Sequence, residues 1–259
     1  MRCKPFLWIT ALAATLAGCA GESLTPQGLA SIGQGATLET HATAKAEVFD
    51  PFKQTGTAGG GREVIKDPSI AEIMQAGALP EATLGRVDAP VTIIKYMSLT
   101  CPYCRKFQLE DFPQLKKQYI DTGKVRFILR EFPIGFQSGA ATIALRCAPP
   151  DKYFALYEKF LTQQATWVSQ EVRTEPIFKV ATQVGMTREQ YDACRQNRGM
   201  IEGLQWVKER GRTLGVIGTP NFFVNGRLVK RVVGMKELRE MIDPILAGRV
   251  AGAPATPQQ

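Results

Sequence analysis

Cys101 and Cys104 are separated by two residues in the stretch VTIIKYMSLTCPYC, residues 91–104, whose order of residue types suits thiol chemistry. A thiolate, not a thiol, attacks or leaves a disulfide, so the chemistry depends on what holds one sulfur ionised. Pro102 follows Cys101, and proline is favoured at the first position of a helix, where its missing N–H and fixed φ cost nothing. Cys101 then becomes the N-cap and Cys104 the third helical residue. The free N–H groups of the first turn, that of Cys104 among them, point at the Cys101 sulfur, and the helix dipole adds fractional positive charge there. Arg105 and Lys106 place basic charge beside the pair. These terms predict a Cys101 pKa within the range of about 3.5 to 7.5 found at such sites. Cys104, one turn further in, is set to attack a mixed disulfide formed on an exposed Cys101, which is thiol–disulfide exchange.

Two other chemistries compete for these cysteines. A pair at this spacing is half of a structural zinc site, but His41 is the single histidine and Cys147 and Cys194 stand isolated, so no metal is expected. An inert structural disulfide is the other, and a helix start beside basic residues argues against it, because a stabilised thiolate makes the bond reducible. The region that reads as folded contains no histidine to activate a thiol as a hydrolase nucleophile.

The pair has to be delivered by the elements around it. Val91 to Met97 is a β-branched, apolar run short enough for a buried strand, and RKFQLEDF after the cysteines carries Phe107, Leu109 and Phe112 at a loose helical spacing. Pro113 predicts a kink or restart, with the pattern resuming at Leu115 and Tyr119 and ending at Asp121, Thr122 and Gly123. Val125 to Phe132 reads as a second strand, which makes a βαβ unit with the first. Upstream, Asp67 is a candidate N-cap and Pro68 the first position of a helix carrying Ile70, Ile73 and Met74 and stopped by Gly77; residues 79–90 read as a loop. From Ser138 to Leu214 the periodicity is helical, in the segments AATIALRC, YFALYEKFLTQQ, EPIFKVATQVG, TREQYDACRQN and GMIEGLQWVKERGRTLG. Trp167, Trp206, Phe154 and Tyr157 in this region read as core or groove wall. Phe222 to Val224, an Asn225-Gly226 type I′ turn and Leu228 to Val233 form a hairpin signal, and Lys236 to Leu246 closes as a helix with Leu238, Met241, Ile242 and Ile245 inward.

The runs LTCPYCRKF, GKVRFILREFP and GTPNFFVNGRLV, in that order, resemble the periplasmic disulfide-forming oxidoreductases, the DsbA-like branch of the thioredoxin superfamily. The resemblance covers residues 67–247. It implies an α/β, thioredoxin-like fold with a helical insertion at about 138–214, and Cys101 and Cys104 as a catalytic pair around the active-site dipeptide Pro102-Tyr103. Pro220 alone would pass for an edge-strand proline. The resemblance makes it a cis-proline beside the cysteines, with the backbone of Thr219 pairing with a bound substrate chain. Such proteins often carry an acid beneath the second cysteine that helps move protons; here that position, six before Cys101, holds Lys95. A buried lysine is expected to be neutral, unless its stem carries the ammonium to water. A charge surviving there would stabilise thiolate, which makes Lys95, Arg105 and Lys106 the expected tuning residues. Cys147 and Cys194, one on each of two helices of the insertion, are expected to form a structural disulfide in an oxidising compartment, against the alternative of two free buried thiols.

Arg2 and Lys4 precede an apolar segment, Pro5 to Ala17, too short to span a bilayer as a mature helix, so residues 1–18 read as an export signal. Leu16, Ala17, Gly18 and Cys19 resemble a bacterial lipobox, with Cys19 the lipidated residue; an ordinary signal cleaved near Ala20 is the alternative. Two or three acyl chains would anchor the protein stably, where one binds only marginally. Residues 19–66, rich in Gly, Thr, Ala, Gln and Ser, read as a flexible tether whose ends would lie about 35 to 40 Å apart, with a short helix over HATAKAEVF as the alternative for 41–49. Residues 248–259 read as a disordered tail. Removing Arg2 and Lys4 takes the net charge from +8 to near +6. The basic residues are interleaved with acids, so no nucleic-acid partner is expected.

The expectation is a thiol:disulfide oxidoreductase of the bacterial periplasm, lipid-anchored to the inner or outer membrane, that introduces disulfides into exported proteins as they fold. Its redox group is the Cys101–Cys104 disulfide and no separate cofactor is expected. By resemblance a quinone-linked membrane partner reoxidises it. An isomerase or reductase, and a non-catalytic binding lipoprotein on the same fold, are the rival readings.

Overall fold

The structure, a computed structural model, describes residues 63–248. The export signal, Cys19, the tether up to residue 62 with the alternative helix over 41–49, and the tail from residue 249 lie outside the described residues.

Ser69, not Asp67, starts the first helix, α1 (Ile70–Met74). The Glu72 N–H donates to Ser69 Oγ at 3.2 Å and the Ser69 N–H to Glu72 Oε2 at 2.8 Å, a reciprocal cap that Asp67-Pro68 does not offer. Asp67 itself sits at a φ of 51°, and the helix ends at Gln75, before Gly77. The stretch expected to be a loop contains a strand, β1 (Ala82–Leu84), too short and too mixed in burial to show an alternating pattern. β2 (Val91–Met97) runs as expected and leads into α2 (Pro102–Glu110). The chain breaks at Asp111 and restarts as α3 (Phe112–Leu115), with Pro113 in its first turn, where a proline is tolerated. A single π-helical turn, Lys116–Ile120, follows, and then β3 (Val125–Glu131).

The insertion is α4 (Phe136–Arg146), α5 (Tyr153–Thr162), α6 (Gln164–Trp167), α7 (Thr174–Ala181), α8 (Arg188–Cys194) and α9 (Arg198–Thr213). The chain returns as β4 (Asn221–Val224) and β5 (Arg227–Val229), joined by Asn225 at φ 43° and Gly226 at φ 87°, the left-handed pair a type I′ turn requires. β5 stops at Val229 and not at Val233, because its partner runs only from Asn221 to Val224 and offers no ladder further on. α10 (Met235–Leu246) closes the described chain, with Leu238 and Ile242 buried and Met241 and Ile245 packed partly buried against them.

Among the described residues the sheet has the order β1-β3-β2-β4-β5. β2 and β3 are parallel, joined by the crossover through α2 and α3, and β4 lies antiparallel on the other side of β2. β2 is therefore central and buried on both faces, which its nearly unbroken apolar run reflects. Ile94 and Tyr96 face a layer containing Ile73, Leu214 and Phe223. Ile93 and Met97 face the larger core with Phe107, Leu115 and Phe222, and the period-two alternation puts Lys95 on that same side.

The insertion is fastened to the sheet by a buried ion pair. Arg146 Nη2 donates to Glu131 Oε2 at 2.8 Å and the Tyr153 hydroxyl to Glu131 Oε1 at 2.6 Å, where Glu131 is fully buried at the end of β3. Cys147, which caps α4, and Cys194, which ends α8, are joined by a disulfide beside Ile143, Met200 and Leu204. It spans a sequence separation of 47 residues. Closing a loop of that size stabilises by about 4 kcal/mol in the chain-entropy model, so a Cys147→Ala, Cys194→Ala protein is expected to unfold at clearly lower denaturant than its parent. Equal midpoints with equal slopes would show that the cross-link adds nothing to folding.

Candidate active site

β2 ends one turn before the cysteines, and the backbone tightens there through Cys101 N–H donating to Ser98 O at 3.1 Å. Cys101 is the N-cap of α2, at φ −75° and ψ 120°, and Pro102 is the first helical residue. The Cys104 N–H donates to Cys101 Sγ at 3.3 Å and the Arg105 N–H to Cys101 O at 3.1 Å. The sulfur thus occupies the place that a serine or aspartate oxygen takes in an ordinary cap. Both cysteines are free thiols. Cys101, expected to be exposed, is only 8% exposed, and Cys104 is fully buried. Pro102 and Tyr103 between them are both exposed, Tyr103 to 56%.

The chain before β4 crosses over this sulfur. The Thr219–Pro220 peptide bond is cis, and the Cys101 thiol donates to Thr219 O at 3.1 Å. That contact spans 118 residues of sequence, and the antiparallel register Tyr96↔Asn221 makes it possible by bringing the start of β4 to the end of β2. A third segment comes from the insertion. Gln164 of α6 donates through Nε2 to Leu99 O at 2.7 Å and to Cys101 O at 3.1 Å, clamping the carbonyls on both sides of Thr100. Ser98 is held by Ser138 at 2.7 Å between their hydroxyls. No local pattern marks Gln164 or Ser138, since their partners lie 63 and 40 residues away.

The Cys101 thiol is lowered from 9.0 to about 6. The chief cause is a hydrogen bond from the Cys104 thiol, which outweighs the opposing effect of burial; the backbone N–H groups of Cys104 and Tyr103 lower it further. Arg105 and Lys106, expected to contribute, lie exposed on α2 and do not figure among these causes, and Lys106 is 3.8 Å from Glu110. Cys104 moves the other way: burial, and its hydrogen bond to Cys101, push its thiol well above the ordinary value. Two thiols three residues apart are thereby driven in opposite directions.

Lys95 lies beneath the pair and does not reach water. It is fully buried, its Nζ donates to the Tyr157 hydroxyl at 3.1 Å, and it sits 4.2 Å from the centroid of the Phe107 ring. Burial lowers its pKa from 10.5 to about 8, while Cys104, Cys101 and Asp111 pull it back up. Burial thus works against its ammonium, as expected of an interior lysine, and the stem does not carry the amine to water. Tyr157 is a core residue as expected, with the added duty of holding this charge. Among the described residues no three His, Cys, Asp or Glu side chains gather as a metal ion would require.

Residues 78–244 match the family model described as thioredoxin. A putative protein-disulfide oxidoreductase of Rickettsia bellii is 32% identical over 151 residues, which cover 56% of this chain and 57% of that protein. A probable disulfide bond formation protein D of Bacillus anthracis is 28% identical over 57% of this chain and 71% of its own. The chain spans somewhat over half the length of the first of these curated relatives. Among solved structures, Wolbachia pipientis alpha-DsbA1 superposes with a TM-score of 0.63 at 22% identity, over 69% of this chain and 96% of its own. Oxidised BdbD from Bacillus subtilis gives 0.61 at 23% identity, over 73% and 100%. These likenesses establish the DsbA-like form of the fold, insertion included.

A thiolate absorbance titration of the reduced protein is expected to show one sulfur ionising near pH 6, absent from Cys101→Ser, with no second transition before the alkaline range. The linkage has a definite sign: a thiol lowered from 9.0 to about 6 on folding releases its proton earlier in the folded state. The reduced protein therefore gains stability as pH rises from about 6 towards 9 and lacks that gain below 6. Denaturant midpoints of the dithiol form that stay flat over this window would contradict the assignment.

Proposed function

The chain belongs to the thioredoxin family, and from that premise we propose that it is a thiol:disulfide oxidoreductase that introduces disulfides into exported proteins. The observation that carries this reading is the Cys101 sulfur standing as the N-cap of α2, where it accepts the Cys104 N–H at 3.3 Å, with the Cys104 thiol buried behind it.

In the oxidised protein a substrate thiolate attacks Cys101 Sγ. Its electron pair forms the new S–S bond, the Cys101–Cys104 bond breaks, and Cys104 leaves with that bond's electron pair. A second substrate thiolate then attacks the substrate sulfur of the mixed disulfide, expelling Cys101 as thiolate. The substrate is oxidised by two electrons and the protein is left as a dithiol. A low Cys101 pKa makes it the better leaving group and tilts the equilibrium towards substrate oxidation. Thr219, whose carbonyl faces Cys101, is in place for its backbone to pair with an extended substrate chain, with Pro220 fixing the approach. The charge on Lys95 favours thiolate over thiol at both sulfurs.

Export and anchoring rest on the N-terminal sequence: residues 1–18 as the signal, Cys19 as the lipidated residue, residues 19–66 as tether and a periplasmic setting at the inner or outer membrane. Among the described residues no helix is long and apolar enough to cross a membrane. Reoxidation by a quinone-linked membrane partner completes the cycle. The Cys101–Cys104 disulfide is the redox group and no separate cofactor is invoked.

The oxidised protein is expected to form disulfides in reduced, unfolded ribonuclease faster than glutathione disulfide alone. Cys101→Ser should abolish this, and Cys104→Ser, first joined through Cys101 to glutathione as a mixed disulfide, should form a mixed disulfide with the client as glutathione leaves. Faster recovery of activity from scrambled than from reduced ribonuclease would indicate an isomerase, and a pair too stable for glutathione to reduce would indicate a binding lipoprotein. Lys95→Glu, which replaces a stabilising charge by a repelling one, is expected to make the disulfide less oxidising by tenfold or more against glutathione, about 30 mV. An unchanged potential would show that the Lys95 charge does not act on the sulfurs.

A further inference from the structure

The side chain of Gln164 reaches the backbone of the reactive cysteine from the helical insertion. Its Nε2 donates to Leu99 O at 2.7 Å and to Cys101 O at 3.1 Å, so one amide bridges the carbonyls on both sides of Thr100. The Cys101 carbonyl also accepts the Arg105 N–H at 3.1 Å, the first bond of α2, and its two acceptor positions are then filled from two directions. That fixes the Cys101–Pro102 peptide plane. The sulfur can accept the Cys104 N–H at 3.3 Å only while Cys101 keeps the extended ψ of 120° that an N-cap requires, and rotating this plane carries the first turn away from the sulfur. Gln164 thus bears on the torsion that decides whether the cap forms. The element that carries it is held in place from outside. α6 has four residues, too few to persist as a helix alone, and Trp167 Nε1 donates to Phe160 O at 2.8 Å while Gln137 Nε2 donates to Trp167 O at 2.7 Å.

We infer that Gln164 is a positioning residue of the exchange reaction: by holding the Leu99 and Cys101 carbonyls it keeps Cys101 in the N-cap conformation that stabilises its thiolate, and so makes the pair more oxidising. The inference rests on the thiol-exchange reading above and gives the insertion a part in it. The two redox states use the clamp differently. In the disulfide the Cys101–Cys104 bond itself ties the two residues together, whereas in the dithiol the alignment of sulfur and N–H rests on the backbone alone. A side chain that favours the reduced form over the disulfide raises the tendency to oxidise a substrate. An N–H is worth more to a thiolate than to a neutral thiol, so the effect belongs to the pH range in which Cys101 is ionised, above about 6. The titratable groups that face Cys101 are Cys104 on its own helix, Lys95 on β2 and Tyr157 on α5, and a substitution at Gln164 leaves all three in place.

The test compares the parent with Gln164→Met, which keeps the length of the side chain and removes its donors, by thiolate absorbance against pH and by equilibrium with glutathione from pH 5 to 8. In the variant the Cys101 titration is expected to rise by about half a pH unit to one pH unit, and the disulfide at pH 8 to be about threefold to tenfold less oxidising, the scale of a weakened helix cap. The difference in the glutathione equilibrium should close towards pH 5, where Cys101 is a neutral thiol in both proteins. Gln164→Glu, whose carboxylate cannot donate and opposes two carbonyls, should move both readouts further the same way. The Cys147→Ala, Cys194→Ala protein, destabilised elsewhere in the insertion, should keep the parent's titration and equilibrium. Parent-like readouts in Gln164→Met, or the same shift in the protein without the Cys147–Cys194 disulfide, would overturn the inference while leaving the exchange reading intact. If Gln164→Met does not fold by circular dichroism, Gln164→Asn, whose amide stops one methylene short of both carbonyls, replaces it with the same expectations. A parent protein whose cysteine pair does not exchange with glutathione would instead remove the exchange reading on which the inference stands.

Discussion

The hydrogen bond from the Cys104 N–H to the Cys101 sulfur, 3.3 Å long at the first turn of α2, is the contact on which the rest of the site depends. It exists because a helix begins there, and the helix begins there because Pro102 suits its first position and Cys101 can stand as the cap. Backbone N–H groups that would otherwise go unpaired find a sulfur, and that sulfur is more stable as an anion. The surrounding structure keeps the geometry in place. Gln164 holds the carbonyls on either side of Thr100, and Thr219 bounds the sulfur from the far side.

The two thiols differ by environment more than by residue type. Cys101 receives donors at the helix tip; Cys104, three residues on, faces the apolar interior, where ionisation means leaving water altogether. That asymmetry sets the order of events, with the outer sulfur as the group attacked and expelled and the inner one as the group that leaves the disulfide. Lys95 belongs to the same environment. It lies in the central strand, on the core side, where a carboxylate would oppose thiolate and an ammonium favours it.

The helical insertion contributes more than cover. Its α4 is tied to the end of β3 through Arg146, Glu131 and Tyr153, and to α8 through Cys147 and Cys194. On α5, Tyr153 and Tyr157 stand one turn apart, one bonded to Glu131 and the other to Lys95, so a single helix meets two of the buried charges of the sheet. Through α6 it also reaches the active-site backbone. Movement of the insertion against the sheet would therefore be felt at Cys101.

What could be read in the chain itself is what local order controls. The strand from Val91 to Met97, the capping cysteine, the left-handed Asn225-Gly226 turn and the insertion helices follow from periodicity and from residues whose backbone preferences act over a few positions. Asp67 was misleading because Ser69, with Glu72 three residues on, makes the better reciprocal cap, and β1 was hidden because three residues carry no period. Tertiary structure alone decided that Lys95 stays away from water, that Tyr157 is its partner, and that Gln164 grips the cysteine loop. Each depends on distance through space between groups far apart in sequence, and both burial and the Coulomb interaction are functions of that distance and of the surrounding medium, neither of which a local pattern specifies.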